Sequence, residues 1–207
     1  GGAHGKVVAL KAHRDLNLWY RTGLPYDEIH PEDPNNVGVI ARSETDGQEN
    51  MKAYKQIPDW KTHYPVAAYV SDLNDENGNP GWYLPAIKEV QAMVGWIDGE
   101  VLSPDGEAGQ EPSEAMKEKR KAINQLIVDN GGNEFYFYGY DVSFIIDQTN
   151  AWGEADYFNR IYTSTETDYQ VHPMVFKFYW RNGWWETMHV YGDLAGSYGE
   201  VRPFLAF

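Results

Sequence analysis

The chain of 207 residues contains no cysteine. That absence excludes disulfides, thiol nucleophiles and thiolate metal sites, although it leaves the compartment open. Long apolar runs are missing too, and no stretch approaches a membrane span. Basic residues are scarce: 17 Lys and Arg stand against 31 Asp and Glu, a formal net charge of −14. Such a balance argues against a nucleic-acid partner and against adsorption to an anionic membrane, both of which need clustered cations. The densest basic run, KEKRK at 117–121, falls on a predicted helix beside Glu114 and Glu118 and reads as a solvated face. No signal-peptide pattern is present, and the Gly-Gly start is expected to mark a trimmed end from which a targeting segment has been removed.

Signatures of catalysis are equally sparse. The six histidines, His4, His13, His30, His63, His172 and His189, are scattered, with no H-E-x-x-H and no close pair on one helix face. G-x-S-x-G and phosphate-loop patterns do not occur. Carboxylates are abundant, so a glycosidase pair stays open as an alternative, but no spacing points to one. The run DLNDENGN (72–79) invites a calcium reading, yet it carries Glu76 where an EF-hand loop takes Asp or Asn, and Asn77 where it needs glycine. A turn after a helix accounts for it better. The expectation is no metal and no cofactor, with a calcium site assembled from distant loops as the open alternative.

What the chain has in quantity is aromatic surface, with eight Trp and fifteen Tyr. These side chains have an apolar body and a polar tip and serve cores and binding surfaces alike. GKVVALK (5–11) predicts a short strand. Residues 20–50, rich in Pro, Asn, Asp and Gly, predict a long surface loop. Helices are expected at roughly 49–57 and 63–73, the second ended by the turn cluster 74–81. In GWYLPAIKEV (81–90), Trp82-Tyr83-Leu84 is an extended approach. Pro85 then opens a helix to about Trp96, with Ile87, Val90 and Val94 at helical spacing. The acidic, Gly- and Pro-rich stretch 98–114 reads as an insertion. Ser113 is expected to cap a helix running to Asn130, with Met116, Ile123, Leu126 and Ile127 inward and NGG (130–132) stopping it.

Beyond residue 133 the pattern changes to strands. VFKFYW-RN-GWWETMHVY predicts a hairpin about Asn182-Gly183. A two-residue turn sets Arg181 opposite Trp184, Trp180 opposite Trp185 and Tyr179 opposite Glu186. Phe176, Phe178, Trp180 and Trp185 then share an inward face. Val175, Lys177, Tyr179, Arg181, Trp184 and Glu186 share an outward one. Met188 and Val190 break the alternation, so a bulge or a twist is expected past Glu186. The outward set is a candidate ligand surface; a cross-strand pair that only stabilises the hairpin is the alternative. Strand, helices, then strands without a repeat predict a single α+β domain over 1–207.

GWYLP leading into a helix, YTSTE (162–166), an Asn-Gly hairpin and a terminal VRPFLAF together resemble a family of bacterial surface domains common in gut Bacteroidetes. That family is similar to the C-type-lectin-like fold, shared with formylglycine-generating enzymes and with the variable proteins of diversity-generating retroelements. The likeness covers about residues 5–207. The family's usual Ser is Ala86 here, and its usual Trp and Ser are Tyr162 and Thr163. The resemblance implies that the two chain ends pair as neighbouring strands and that two main helical regions and a C-terminal antiparallel sheet complete the domain. It implies that Trp82, Leu84 and Pro85 pin a helix entrance. Ser164, Thr165 and Glu166 would satisfy backbone groups where the chain leaves the core. Trp180 joins these as an inward, structural residue.

The functional expectation is a non-catalytic, adhesin-like domain at the extracellular or outer-membrane surface. It would bind a glycan, or a host or bacterial surface protein, through Tyr179, Arg181, Trp184 and Glu186. A structural or tip subunit of a fimbrial or lipoprotein assembly and a carboxylate-dependent glycoside hydrolase are the alternatives. Formylglycine-generating enzymes use cysteines that this chain lacks, and the Glu-Pro-Asn and Trp-Asn-Asp triplets of calcium-dependent lectins are absent.

Overall fold

Two short apolar segments from opposite ends of the chain, Lys6–Val8 (β1) and Phe204–Ala206 (β7), lie side by side and antiparallel. Lys6 faces Ala206, Val7 faces Leu205 and Val8 faces Phe204. The structure, a computed structural model, describes residues 5–13, 41–78, 81–98, 113–135, 146–149, 155–166, 173–181, 184–190 and 200–206. At 77, 98, 146–149, 155–160, 173, 177–181 and 184–190 it describes the backbone alone. Most of the predicted loop 20–50, the insertion 98–114 apart from its ends, and the hairpin turn Asn182-Gly183 lie outside the described residues.

The remaining described elements are α1 (Gly47–Tyr54), α2 (Trp60–His63), α3 (Pro65–Asn77), β2 (Trp82–Tyr83), α4 (Ile87–Asp98), α5 (Glu114–Asp129), β3 (Ile146–Thr149), β4 (Ala155–Glu166), β5 (Pro173–Arg181) and β6 (Trp184–Val190). They form two antiparallel sheets, one in the order β1-β7-β2 and one in the order β3-β4-β5-β6. The molecule is therefore α+β, as the order of patterns along the sequence predicts.

Three of the helices have a local reason to start. Asp46 caps α1, its carboxylate accepting from the Glu49 N–H at 3.1 Å. Pro65 stands in the first turn of α3, where its missing N–H costs nothing. Ser113 caps α5 and accepts from the Met116 N–H at 3.3 Å, as predicted. Several boundaries differ from the sequence reading. The helix expected at 49–57 spans 47–54, and the one expected at 63–73 divides into α2 and α3. α3 continues through Asn77, so 74–77 are helical, and Gly78 ends it at φ 59°. The turn beyond is tied by Asn74, whose Oδ1 accepts from the Gly81 and Trp82 N–H groups while its Nδ2 donates to the Trp82 carbonyl at 2.7 Å.

α5 also faces differently from its predicted orientation. Leu126, expected inward, is 63% exposed, and Arg120 and Asn124 are buried together with Ile127. The Asn124 side chain exchanges two hydrogen bonds with the Phe135 backbone, at 2.9 and 3.1 Å, and that fixes which face of the helix turns in. The basic run 117–121 is thus not wholly solvated: Lys117 and Lys121 pair with Glu114 and Glu118 outside, while Arg120 points inward.

The core has two clusters, and β4 and β5 stand between them. Tyr162 and Val175 pack with Tyr54, Tyr64, Val66, Val70 and Leu84 on one side. Ile161 and Phe176 pack with Ile87, Val90 and Val94 of α4 on the other. Val175, assigned to an exposed face from alternation alone, is fully buried because this end of the hairpin is covered on both faces. The β5–β6 register runs unbroken from Arg181↔Trp184 to Val175↔Val190, so of the bulge or twist expected past Glu186 the bulge is not there. The irregularity falls instead between β4 and β5, at Tyr162–Glu166.

Candidate functional site

Among the residues whose side chains are described, three places carry polar or aromatic chemistry: the start of α4, the surroundings of Arg202, and a groove along α4.

α4 begins at Ile87, two residues after Pro85, with Ala86 in the capping position. Ala86 has no hydroxyl to offer, and the exposed N–H groups of the first turn are satisfied from elsewhere. The Ala86 N–H donates to Glu89 Oε2 at 2.7 Å. Ile87 N–H donates to Thr165 Oγ1 at 3.0 Å, Lys88 N–H to the Glu44 carbonyl at 2.8 Å, and Glu89 N–H to the Ala86 carbonyl at 3.1 Å. Thr165 thus supplies, from β4, the hydroxyl that position 86 lacks. Its own O–H donates to the Ser43 carbonyl at 2.9 Å.

Glu89 is buried and its two oxygens serve four donors. Oε2 also accepts from Gly47 N–H at 3.1 Å, and Oε1 accepts from the Tyr83 hydroxyl at 2.8 Å and from the Lys6 ammonium. Burial first, and then this carboxylate, push the Tyr83 hydroxyl far above the usual phenol range.

Trp82 is half-buried against the first cluster, while Leu84 and Pro85 are buried; the Pro85 carbonyl accepts from Ser164 N–H at 2.7 Å. The Ser164 hydroxyl accepts from the Asn50 amide at 3.0 Å, a side chain rather than a backbone group. Glu166 Oε2 accepts from Ala41 N–H at 3.1 Å. The Tyr54 hydroxyl donates to the Ser164 carbonyl at 2.6 Å; burial, then Glu166 and Tyr64, raise its pKa well above the ordinary value.

Sequence reasoning missed Arg202. It is fully buried, with Nε on Glu200 Oε1 at 2.6 Å. Nη1 donates to the Ala9 and Leu10 carbonyls, and Nη2 to those of Asn133 and Glu134. Its guanidinium lies over the Phe135 ring at 4.1 Å. Glu89 was missed as well, although a carboxylate three residues after a helix cap is a readable signal.

The groove has a volume of about 700 Å3. Val8, Ala9 and Leu10 form one wall, and Ala92, Met93, Trp96 and Ile97 of α4 another. Ile123 and Ile127 of α5, with Phe135 and Phe204, complete the apolar lining. The polar lining is Lys6, Thr45, Lys88 and Glu89. At the opposite end of α4, Trp96 is 72% exposed, with Lys119 Nζ above its ring at 5.4 Å.

Among the described residues, no group of three or more His, Asp or Glu side chains is arranged to hold a metal ion. Asp72 and Asp75, from the run considered for calcium, both reach Lys61. The candidate ligand residues Tyr179, Arg181, Trp184 and Glu186 sit on β5 and β6 in the predicted register, Arg181 opposite Trp184 and Tyr179 opposite Glu186. Trp180 stands opposite Trp185 and Tyr157. The side chains of these residues lie outside the description. Comparison of the chain with protein-family models, with curated proteins and with solved structures gave no match.

Proposed function

We propose that this chain is a non-catalytic ligand-binding domain of C-type-lectin-like type, displayed at a bacterial surface, which takes a glycan or a protein at the tip of the β5–β6 hairpin. The observation that carries this reading is the register. It brings Arg181 and Trp184 opposite each other next to the turn, with Tyr179 and Glu186 paired two positions further in. Tyr, Trp and Arg are the residues that most often dominate interface energies, and the edge of a four-stranded sheet holds them at small entropic cost. Aromatic faces suit the apolar face of a sugar ring, and Arg181 and Glu186 can bond its hydroxyls. The buried carboxylates Glu89 and Glu200 are engaged with backbone, tyrosine and cationic partners, which supports a structural rather than a proton-transferring role for them.

The test is a glycan and protein-partner array on the purified chain, with and without calcium. Trp184→Ala should then weaken the ligand found by roughly 1–3 kcal/mol. It should also lower thermal stability less than Trp180→Ala. If Trp184→Ala collapses the fold while Trp180→Ala abolishes binding alone, the two faces of the hairpin are assigned backwards.

A further inference from the structure

The groove along α4 is polarised, and its polarity points to a ligand unrelated to the hairpin. Its four polar residues gather at the first turn of α4. Lys6 pairs with Glu89, Lys88 and Glu89 are adjacent, and Thr45 follows Glu44, whose carbonyl holds Lys88 N–H. Every other lining residue is apolar. Residues 88/89, 92/93 and 96/97 occupy successive turns of α4. At 1.5 Å per residue the lining therefore runs roughly 13 Å along the helix from its polar end, and the apolar stretch from Ala92 to Ile97 takes about 8 Å of it. A volume of about 700 Å3 lies within the usual range for small-molecule sites.

The chemistry of the polar end selects the head group. The Glu89 side chain is only 4% exposed and its oxygens already serve four donors. Lys6 and Lys88 are 45% and 48% exposed, so the accessible groups are ammonium donors. Lys88 also pairs with Glu44, which does not line the groove. The two ammoniums are balanced by Glu89 and Glu44, so this end is formally neutral; Glu89 is sealed and Glu44 lies outside the lining, so the polar donors offered to the groove are the two ammoniums. We propose that this groove binds a single-chain carboxylate amphiphile. Its hydrocarbon chain lies along α4, and its carboxylate accepts hydrogen bonds from Lys6 and Lys88.

The experiment is calorimetric titration of the full chain with dodecanoate, dodecanol and dodecylammonium, each kept below micelle formation. Dodecanoate should bind saturably with one site per chain, and dodecanol about tenfold more weakly, the scale of two partly exposed charge pairs. Replacing both lysines, Lys6→Met with Lys88→Met, should bring the acid down to the affinity of the alcohol. Ala92→Trp should close the groove; should that variant fail to fold, Leu10→Asp places a charge in the apolar wall and should abolish binding instead. Trp184→Ala should leave dodecanoate binding unchanged, which separates this site from the hairpin. Absence of saturable binding, equal affinity for acid, alcohol and ammonium, or full binding by the Ala92→Trp or Leu10→Asp chain overturns the proposal.

Discussion

Arg202 shows how much of this molecule depends on single polar side chains. A guanidinium has five N–H donors, and here all five meet acceptors, from Glu200, Ala9, Leu10, Asn133 and Glu134. It ties the segment after β1, the segment after α5 and the approach to β7 to one point. Taking a charge out of water is costly, and the cost is offset only while every partner is present. Arg202→Met should therefore destabilise the chain by about 3–5 kcal/mol, because it removes the cation bonded to a buried carboxylate and to four carbonyls. Arg202→Lys should recover less than half of that, since an ammonium cannot reproduce the planar fork. Urea denaturation of the three chains checks both statements; equal midpoints would refute them. In the sequence, VRPFLAF reads as a terminal strand, and so it is at Phe204–Ala206. The role of Arg202 was not legible, because its partners come from stretches that only the fold brings together.

At the scale of elements, the start of α4 is the junction on which the helices are set. Gly47, the first residue of α1, donates to Glu89, and its Cα rests against the approach to α4. A Cβ on Gly47 would stand 2.3 Å from the Leu84 carbonyl oxygen and 2.9 Å from the Ala86 nitrogen. Both obstacles are backbone, so neither can swing aside. Gly47→Ala, ordinarily favourable in a helix, should here cost about 1–3 kcal/mol by overpacking. A melting temperature equal to or above that of the parent would show that α1 can move away without loss. The apolar anchor in GWYLP and the phase of α4, with Ile87, Val90 and Val94 buried, follow from helical spacing and could be read in advance. The cap could not, since position 86 is alanine and the hydroxyl arrives from Thr165. The phase of α5 was misread for a related reason: hydrophobicity favours Leu126, whereas the bonds of Asn124 to Phe135 decide the face.

For the whole molecule, closure of the termini and the buried tyrosines set the conditions under which it stays folded. The pairing of β1 with β7 was anticipated as what the family resemblance implies for the two short apolar end segments, and the hairpin register because Asn-Gly fixes a two-residue turn. The two-sided burial around Val175 was not, since alternation assigns one face inward and cannot show that a second cluster covers the other. Within those clusters, Tyr54 and Tyr83 have hydroxyls bonded to Ser164 and Glu89, and burial raises both pKa values above that of a free phenol. An unfolded tyrosine ionises near pH 10. Above that pH the unfolded chain has released protons that the folded chain retains, so stability falls as pH rises. The contribution is complete below about pH 10 and is lost on the way up to the folded values. Acid should leave this contribution intact. In an alkaline titration followed by phenolate absorbance, a fraction of the tyrosines that includes at least these two should stay silent until a cooperative loss of circular dichroism. Tyr83→Phe should abolish one silent tyrosine and flatten the alkaline slope. Smooth ionisation of every tyrosine in the still-folded chain would show that neither hydroxyl is sealed from solvent.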